Sequence, residues 1–173
     1  MMILITGGSK CGKSSQAEKL LQNISENKYY LATMKPFGED AQKAIIRHRT
    51  MRKAKNFITI EQYTDIDKIQ IPVHSAVLLE CMGNLCANEM FRDDEIFYPV
   101  EKIIRNLKVL HSMTDMLVIV TNEVGMDGIT YSSETMQYIS AMAELNQTIA
   151  QMADAIIECV CGIPLIIKGE MSC

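Results

Sequence analysis

Residues 7–14 read Gly7-Gly8-Ser9-Lys10-Cys11-Gly12-Lys13-Ser14, which is a G-x-x-x-x-G-K-S run. They come directly after the apolar stretch Met2-Ile3-Leu4-Ile5-Thr6. A strand, a glycine-rich turn and a helix opening at Lys13 are the setting in which this pattern makes a phosphate loop. Gly7 and Gly12 permit a tight turn whose amides point at phosphate oxygens, Lys13 brings charge to the β and γ phosphates, and the Ser14 hydroxyl can ligate Mg²⁺. Lys13 is expected to be an exposed loop lysine. A chain that begins this way is expected to adopt an α/β fold.

The rest of the sequence agrees with that expectation. Short apolar runs alternate with longer amphipathic stretches, predicting βαβ units and a mostly parallel sheet with helices on both faces. Strands are expected at 2–6, 28–32, 57–61, 76–80 and 116–121, and helices at 13–24, 39–54, 83–91, 98–112 and 133–152. The segment 155–168 is too short for two parallel strands and a crossover helix, so it predicts a terminal hairpin turning at Gly162. With 173 residues, 48% of them hydrophobic, and no repeat or Gly/Ser linker, the chain is expected to form a single P-loop domain over 1–173.

Seventeen Lys and Arg against twenty-one Asp and Glu leave a net charge of −4. That balance argues against a nucleic-acid partner, so any anion site has to be local. No apolar run is long enough to span a bilayer and the N-terminus lacks a signal-peptide pattern, which predicts a soluble cytoplasmic protein. The six cysteines hold no C-x-x-C pair and do not cluster with the three histidines, so scattered reduced thiols are expected rather than a zinc site.

Cationic charge concentrates in one place. Residues 43–55 carry Lys43, Arg47, Arg49, Arg52, Lys53 and Lys55 with no acid. On a helix, His48, Arg49 and Arg52 share a stripe, where an imidazole could attack phosphorus while guanidiniums neutralise oxyanions. A solvated surface histidine fits the same pattern. Glu80 ends the run Val77-Leu78-Leu79, and Asn122-Glu123 comes after Leu117-Val118-Ile119-Val120-Thr121. Acids at these strand ends face the nucleotide side of an open α/β sheet, where they serve magnesium, orient a nucleophile, or remain solvated loop carboxylates.

Four pieces in order resemble the bifunctional adenosylcobinamide kinase/adenosylcobinamide-phosphate guanylyltransferase family. They are the strand and loop of residues 2–14 with Ala32-Thr33 after them, the run Ile45-Ile46-Arg47-His48-Arg49-Thr50-Met51-Arg52, the run Leu78-Leu79-Glu80-Cys81, and Val120-Thr121-Asn122-Glu123-Val124-Gly125-Met126. Asn146-Gln147 and Gly162-Ile163-Pro164-Leu165 with Lys168 continue the family order. The resemblance implies that His48 is the guanylylated residue and that Lys13 and Glu80 are catalytic. It implies nucleotide contacts from Ala32, Thr33 and Met34, from Arg49, Thr50, Met51 and Arg52, and from Glu61 and Glu80. It also implies ATP or GTP with Mg²⁺, a corrinoid substrate, and a homo-oligomer, possibly a trimer.

The chain departs from the family pattern at Ala44, at Lys53, and over 127–140. In that last stretch a turn and an Arg-rich helix are replaced by Asp127-Gly128-Ile129-Thr130-Tyr131-Ser132-Ser133 and then Met136-Gln137-Tyr138-Ile139-Ser140. These departures predict weaker handling of the phosphorylated corrinoid than of the nucleotide. The expected function is phosphorylation of adenosylcobinamide, then transfer of GMP from GTP through a guanylyl-histidine. A small-molecule kinase without guanylyl transfer and a non-catalytic GTP-binding switch are the alternatives.

Overall fold

A computed structural model of the chain describes residues 1–24, 27–36, 55–92, 95–125 and 127–170. Seven strands form its main sheet: β1 (Met2–Thr6), β2 (Lys28–Ala32), β3 (Ile58–Glu61), β4 (Ser75–Leu79), β7 (Thr114–Val120), β8 (Ala155–Val160) and β9 (Ile163–Lys168). β5 (Phe91–Arg92) and β6 (Glu95–Ile96) make a separate antiparallel pair. The order across the main sheet is β3-β2-β4-β7-β1-β8-β9. Every neighbouring pair in it is parallel except β8 with β9. The mostly parallel sheet and the terminal hairpin expected from the sequence are both present.

Alternation within single strands explains how both faces are covered. Met2 and Leu4 of β1, Val77 and Leu79 of β4, and Leu117 and Ile119 of β7 enter one core. That core is closed by Met82 and Leu85 of α2 (Met82–Met90), Ile103 and Leu107 of α3 (Val100–Ser112), and Met142 and Leu145 of α4 (Ser133–Met152). Their neighbours Ile3, Ile5, Ala76, Leu78, Val118 and Val120 enter a second core on the opposite face, under Ala17 of α1 (Lys13–Leu20) and Leu21 just beyond it. A period of two places successive side chains on opposite faces, so strands buried on both sides read as unbroken apolar runs. Among the described residues no helix is long and apolar enough to cross a membrane. The helix expected over 39–54 lies outside the described residues.

α1 is shorter than the periodicity predicts, ending at Leu20 rather than near 24. Lys28 supplies the reason. Its ammonium donates to the Leu21 carbonyl over 3.3 Å and lies 4.8 Å from the centre of the Phe57 ring. A buried cation at the negative end of a helix satisfies one of the orphan carbonyls there and favours the end at that point.

Two short elements have no counterpart in the sequence reading: a 3₁₀ turn over Ile66–Lys68 and the β5–β6 pair. At the other edge, β8 and β9 meet through a two-residue turn, with Val160 opposite Ile163. Cys161 and Gly162 both have positive φ, at 50° and 85°, which matches the sense of twist that tight hairpins need.

Candidate functional site

The carboxyl ends of β1, β4 and β7 converge on one cavity of about 390 Å³. It is walled by Ser9, Lys10, Cys11, Gly12, Lys13 and Ser14 of the loop, by Met34, and by Glu80. Ser15, Cys81, Asn84, Val120 and Asn122 complete it. Most of the loop residues expected at the nucleotide therefore share one space with Met34 and Glu80. Strand order explains the convergence, because β7 is inserted between β4 and β1 and brings both strand ends to the loop.

The loop is held from three sides. Gly7 takes φ of 133°, and a β-carbon there would stand 2.5 Å from the Cys159 carbonyl oxygen, so only glycine fits between β1 and β8. The Gly162 amide donates to the Cys11 carbonyl over 2.9 Å, tying the hairpin tip to the loop. Inside the turn, the Lys13 ammonium donates to Gly7 and Gly8 carbonyls at 2.9 and 2.6 Å. Lys13 is buried, 7% exposed, which corrects the expectation of an exposed loop lysine. Its stem packs beneath the loop while the charge stays at the cavity. Gly7 and Gly8 thus present carbonyls to Lys13 and do not wall the cavity.

Cys81 closes the wall opposite. Its thiol accepts a 3.4 Å hydrogen bond from the Asn84 amide and caps α2. Burial pushes its pKa up, so the group is a neutral thiol at physiological pH and a packing element rather than a nucleophile. Asn146, which the sequence reading noted without a role, fixes the turn after β7. It accepts from the Thr121 hydroxyl at 2.6 Å and donates to the Asn122 carbonyl at 3.1 Å.

Other expected contacts fall elsewhere. Thr33 is fully buried, and its hydroxyl donates to the Cys81 carbonyl at 2.9 Å while its own carbonyl accepts from Asn88 at 2.8 Å. It stitches the end of β2 to α2 and leaves Met34 to face the cavity. Ala32 is a buried strand residue paired in register with Glu61. Glu61 accepts from the Tyr63 hydroxyl at 3.2 Å on the edge strand β3, separated from β1 by β2, β4 and β7. His48, Arg49, Thr50, Met51 and Arg52 lie outside the described residues. Asn84 and Cys81 are wall residues the sequence reading did not assign to the site, although their position in the first turn after a strand-end acid is a usable cue.

A cradle of loop amides, a buried cation, a hydroxyl and a strand-end carboxylate is suited to holding a polyphosphate. Comparison of the whole chain narrows this further. Residues 3–167 match the family described as cobinamide kinase / cobinamide phosphate guanyltransferase. The chain belongs to this family.

Relatives of this cobinamide kinase / guanyltransferase family member run its full length. It is 29% identical to the bifunctional adenosylcobalamin biosynthesis protein CobU of Escherichia coli over 183 residues, covering 97% of this chain and 100% of that protein. It is 25% identical to the CobP protein of Pseudomonas aeruginosa over 173 residues, covering 98% and 99% respectively. Among solved structures it resembles an ATPase domain with a TM-score of 0.51 and 16% identity, over 91% of this chain and 68% of that one. It also resembles a DnaB-like replicative helicase with a TM-score of 0.50 and 14% identity, over 91% of this chain and 47% of that one. These likenesses show the P-loop NTPase fold and nothing finer.

Proposed function

We infer that this protein phosphorylates adenosylcobinamide and then transfers GMP from GTP to the product, giving adenosylcobinamide-GDP in cobalamin biosynthesis. The observation that carries the reading is the convergence of Lys13, Ser14 and Glu80 on one cavity at the ends of β1 and β4, in a chain of this family. In the first reaction the acceptor hydroxyl attacks the γ-phosphorus of a nucleoside triphosphate and the diphosphate leaves. Loop amides and Lys13 neutralise the charge that spreads over the phosphates.

The Ser14 hydroxyl and the Glu80 carboxylate are hard oxygen donors on the same cavity, a set that fits Mg²⁺ shared with phosphate oxygens. Bound there, the ion would add charge neutralisation. Ser14 would hold it directly and Glu80 directly or through water.

In the second reaction an imidazole nitrogen of His48 attacks the α-phosphorus of GTP and pyrophosphate leaves. The phosphate of adenosylcobinamide phosphate then displaces the histidine and takes the GMP. Arg49 and Arg52 lie on the same helical stripe as His48 if that segment is a helix, where they would stabilise the transition-state charge. Thr50 and Met51 complete the nucleotide segment in this reading, which takes the enzyme to be a cytoplasmic homo-oligomer, a trimer on the family pattern.

Covalent capture tests the reading. Incubation with α-labelled GTP and Mg²⁺ should leave label on the protein, lost in acid and kept in base as a phosphoramidate requires. His48→Asn should abolish the label while leaving nucleotide binding intact. No label on the wild type together with adenosylcobinamide phosphorylation would point to a kinase without guanylyl transfer. Nucleotide-dependent partner binding without any turnover would point to a switch.

A further inference from the structure

Beyond β7 the chain changes sides. Asn122 faces the phosphate-loop cavity, whereas Glu123 and Val124 turn to wall a second, open groove of about 620 Å³. Asp127, Tyr131, Tyr138 and Ile139 form much of the rest of it. Two contacts tie the groove to residues that adjoin the cavity lining or the loop. The Tyr138 hydroxyl donates to the Gly83 carbonyl over 3.3 Å, next to the cavity residue Asn84. The Thr6 hydroxyl donates to Glu123 Oε1 over 3.4 Å, and Thr6 directly precedes Gly7, whose carbonyl holds the Lys13 ammonium.

The two carboxylates of the groove are in different states. Asp127 is engaged, accepting from the Tyr131 hydroxyl and the Ile129 amide, and these bonds hold its pKa below the usual carboxylate range. Glu123 is exposed, and its hydrogen bond to Thr6 is long. It is therefore the less engaged of the groove's two carboxylates, and its contact with Thr6 sets it beside the start of the phosphate loop.

The lining also selects its occupant. Two tyrosine rings, a valine and an isoleucine offer broad apolar faces, and among the described residues the lining carries two acids and no Lys or Arg. Such a groove suits a large, uncharged or cationic molecule, and it disfavours a phosphorylated one through like-charge repulsion. The geometry points to this groove as the subsite for the unphosphorylated alcohol acceptor, with Glu123 taking the proton of the attacking hydroxyl. This rests on the kinase reading above. As the acceptor oxygen bonds to the γ-phosphorus, the bond from that phosphorus to the β–γ bridging oxygen breaks. The electron pair leaves with the nucleoside diphosphate, and the hydroxyl proton passes to Glu123 and then to water.

Steady-state phosphorylation of adenosylcobinamide with Mg²⁺ and ATP or GTP tests it on the whole chain, for wild type, Glu123→Gln and Tyr131→Ala. Glu123→Gln should lower kcat about 100-fold or more. Its nucleotide affinity should stay within about twofold of wild type. Tyr131→Ala should raise the acceptor KM several-fold without changing nucleotide affinity. Labelling by α-labelled GTP should survive in both. If wild type phosphorylates adenosylcobinamide and Glu123→Gln does so equally well, or if the variant loses nucleotide affinity in proportion to rate, the acceptor assignment is overturned while the functional reading stands. If wild type does not phosphorylate adenosylcobinamide, both fall together.

Discussion

Lys13 and Gly8 are joined by a 2.6 Å hydrogen bond from the lysine ammonium to the main-chain carbonyl, and a 2.9 Å bond to Gly7 runs beside it. The same group thus shapes the loop and supplies its charge. Lys13→Ala should lower GTP turnover about 100-fold or more and cost about 1–3 kcal/mol of stability, because the buried Gly7 carbonyl and the partly buried Gly8 carbonyl lose a charged donor. Turnover and thermal melting measured on one preparation check both parts. Wild-type turnover in the variant would remove the loop from the reaction.

The hairpin turn carries a residue poorly suited to its backbone. Cys161 sits at φ of 50° in a two-residue turn where Asn is strongly preferred before Gly. Cys161→Asn should stabilise the protein by about 0.5–1 kcal/mol, since the left-handed region costs a cysteine more than an asparagine. The expected result is a higher urea midpoint at unchanged slope. A lower midpoint would mean that the thiol makes a contribution beyond backbone fit.

An ionic cluster gives a pH signature. Asp65 accepts from Lys102 at 2.6 Å and from Lys68 and Arg92 at 3.3 Å, and the buried Glu89 shares Lys102 at 2.6 Å. The Lys102 hydrogen bond, foremost, lowers the Asp65 pKa from 3.8 to about 2. A depressed carboxylate pKa stabilises the fold fully above the unfolded value and loses that contribution as pH falls through the folded one. Asp65→Asn keeps a side chain that tolerates the positive φ of 49° there. The variant should therefore be less stable than wild type by about 2 kcal/mol at pH 7, with the gap closing between about pH 4 and pH 2. A gap that stays constant across that range would assign the effect to shape rather than charge.

Legibility in the sequence divides along physical lines. β1, β4 and the later part of β7 were legible because burial on both faces makes a near-continuous apolar run, and the loop because its chemistry needs fixed residues at fixed spacing. Glu80 was legible as a strand-end residue, and Met34 only through the family resemblance. Thr33 and Glu61 mark two limits of the strand-end rule: Thr33 follows β2 next to the cavity residue Met34 but spends its hydroxyl on the Cys81 carbonyl, and Glu61 ends the edge strand β3, a lateral position that sequence spacing does not encode. The 3₁₀ turn at Ile66–Lys68 and the β5–β6 pair have too few residues for a period, and tertiary contacts such as the Asp65 amide to Glu89 at 2.7 Å accompany them. Lys28 breaks the strand pattern because it serves the end of α1.

The hairpin's grip on the loop bears on the order in which the molecule is built. Residues 7–14 leave the ribosome long before Cys159 and Gly162, which confine Gly7 and hold Cys11. β1 also waits for β8 to complete its pairing on that side. A nascent chain stalled before residue 155 carries the whole motif without its buttress, so the loop is braced on that side only once β8 and the turn after it have been made.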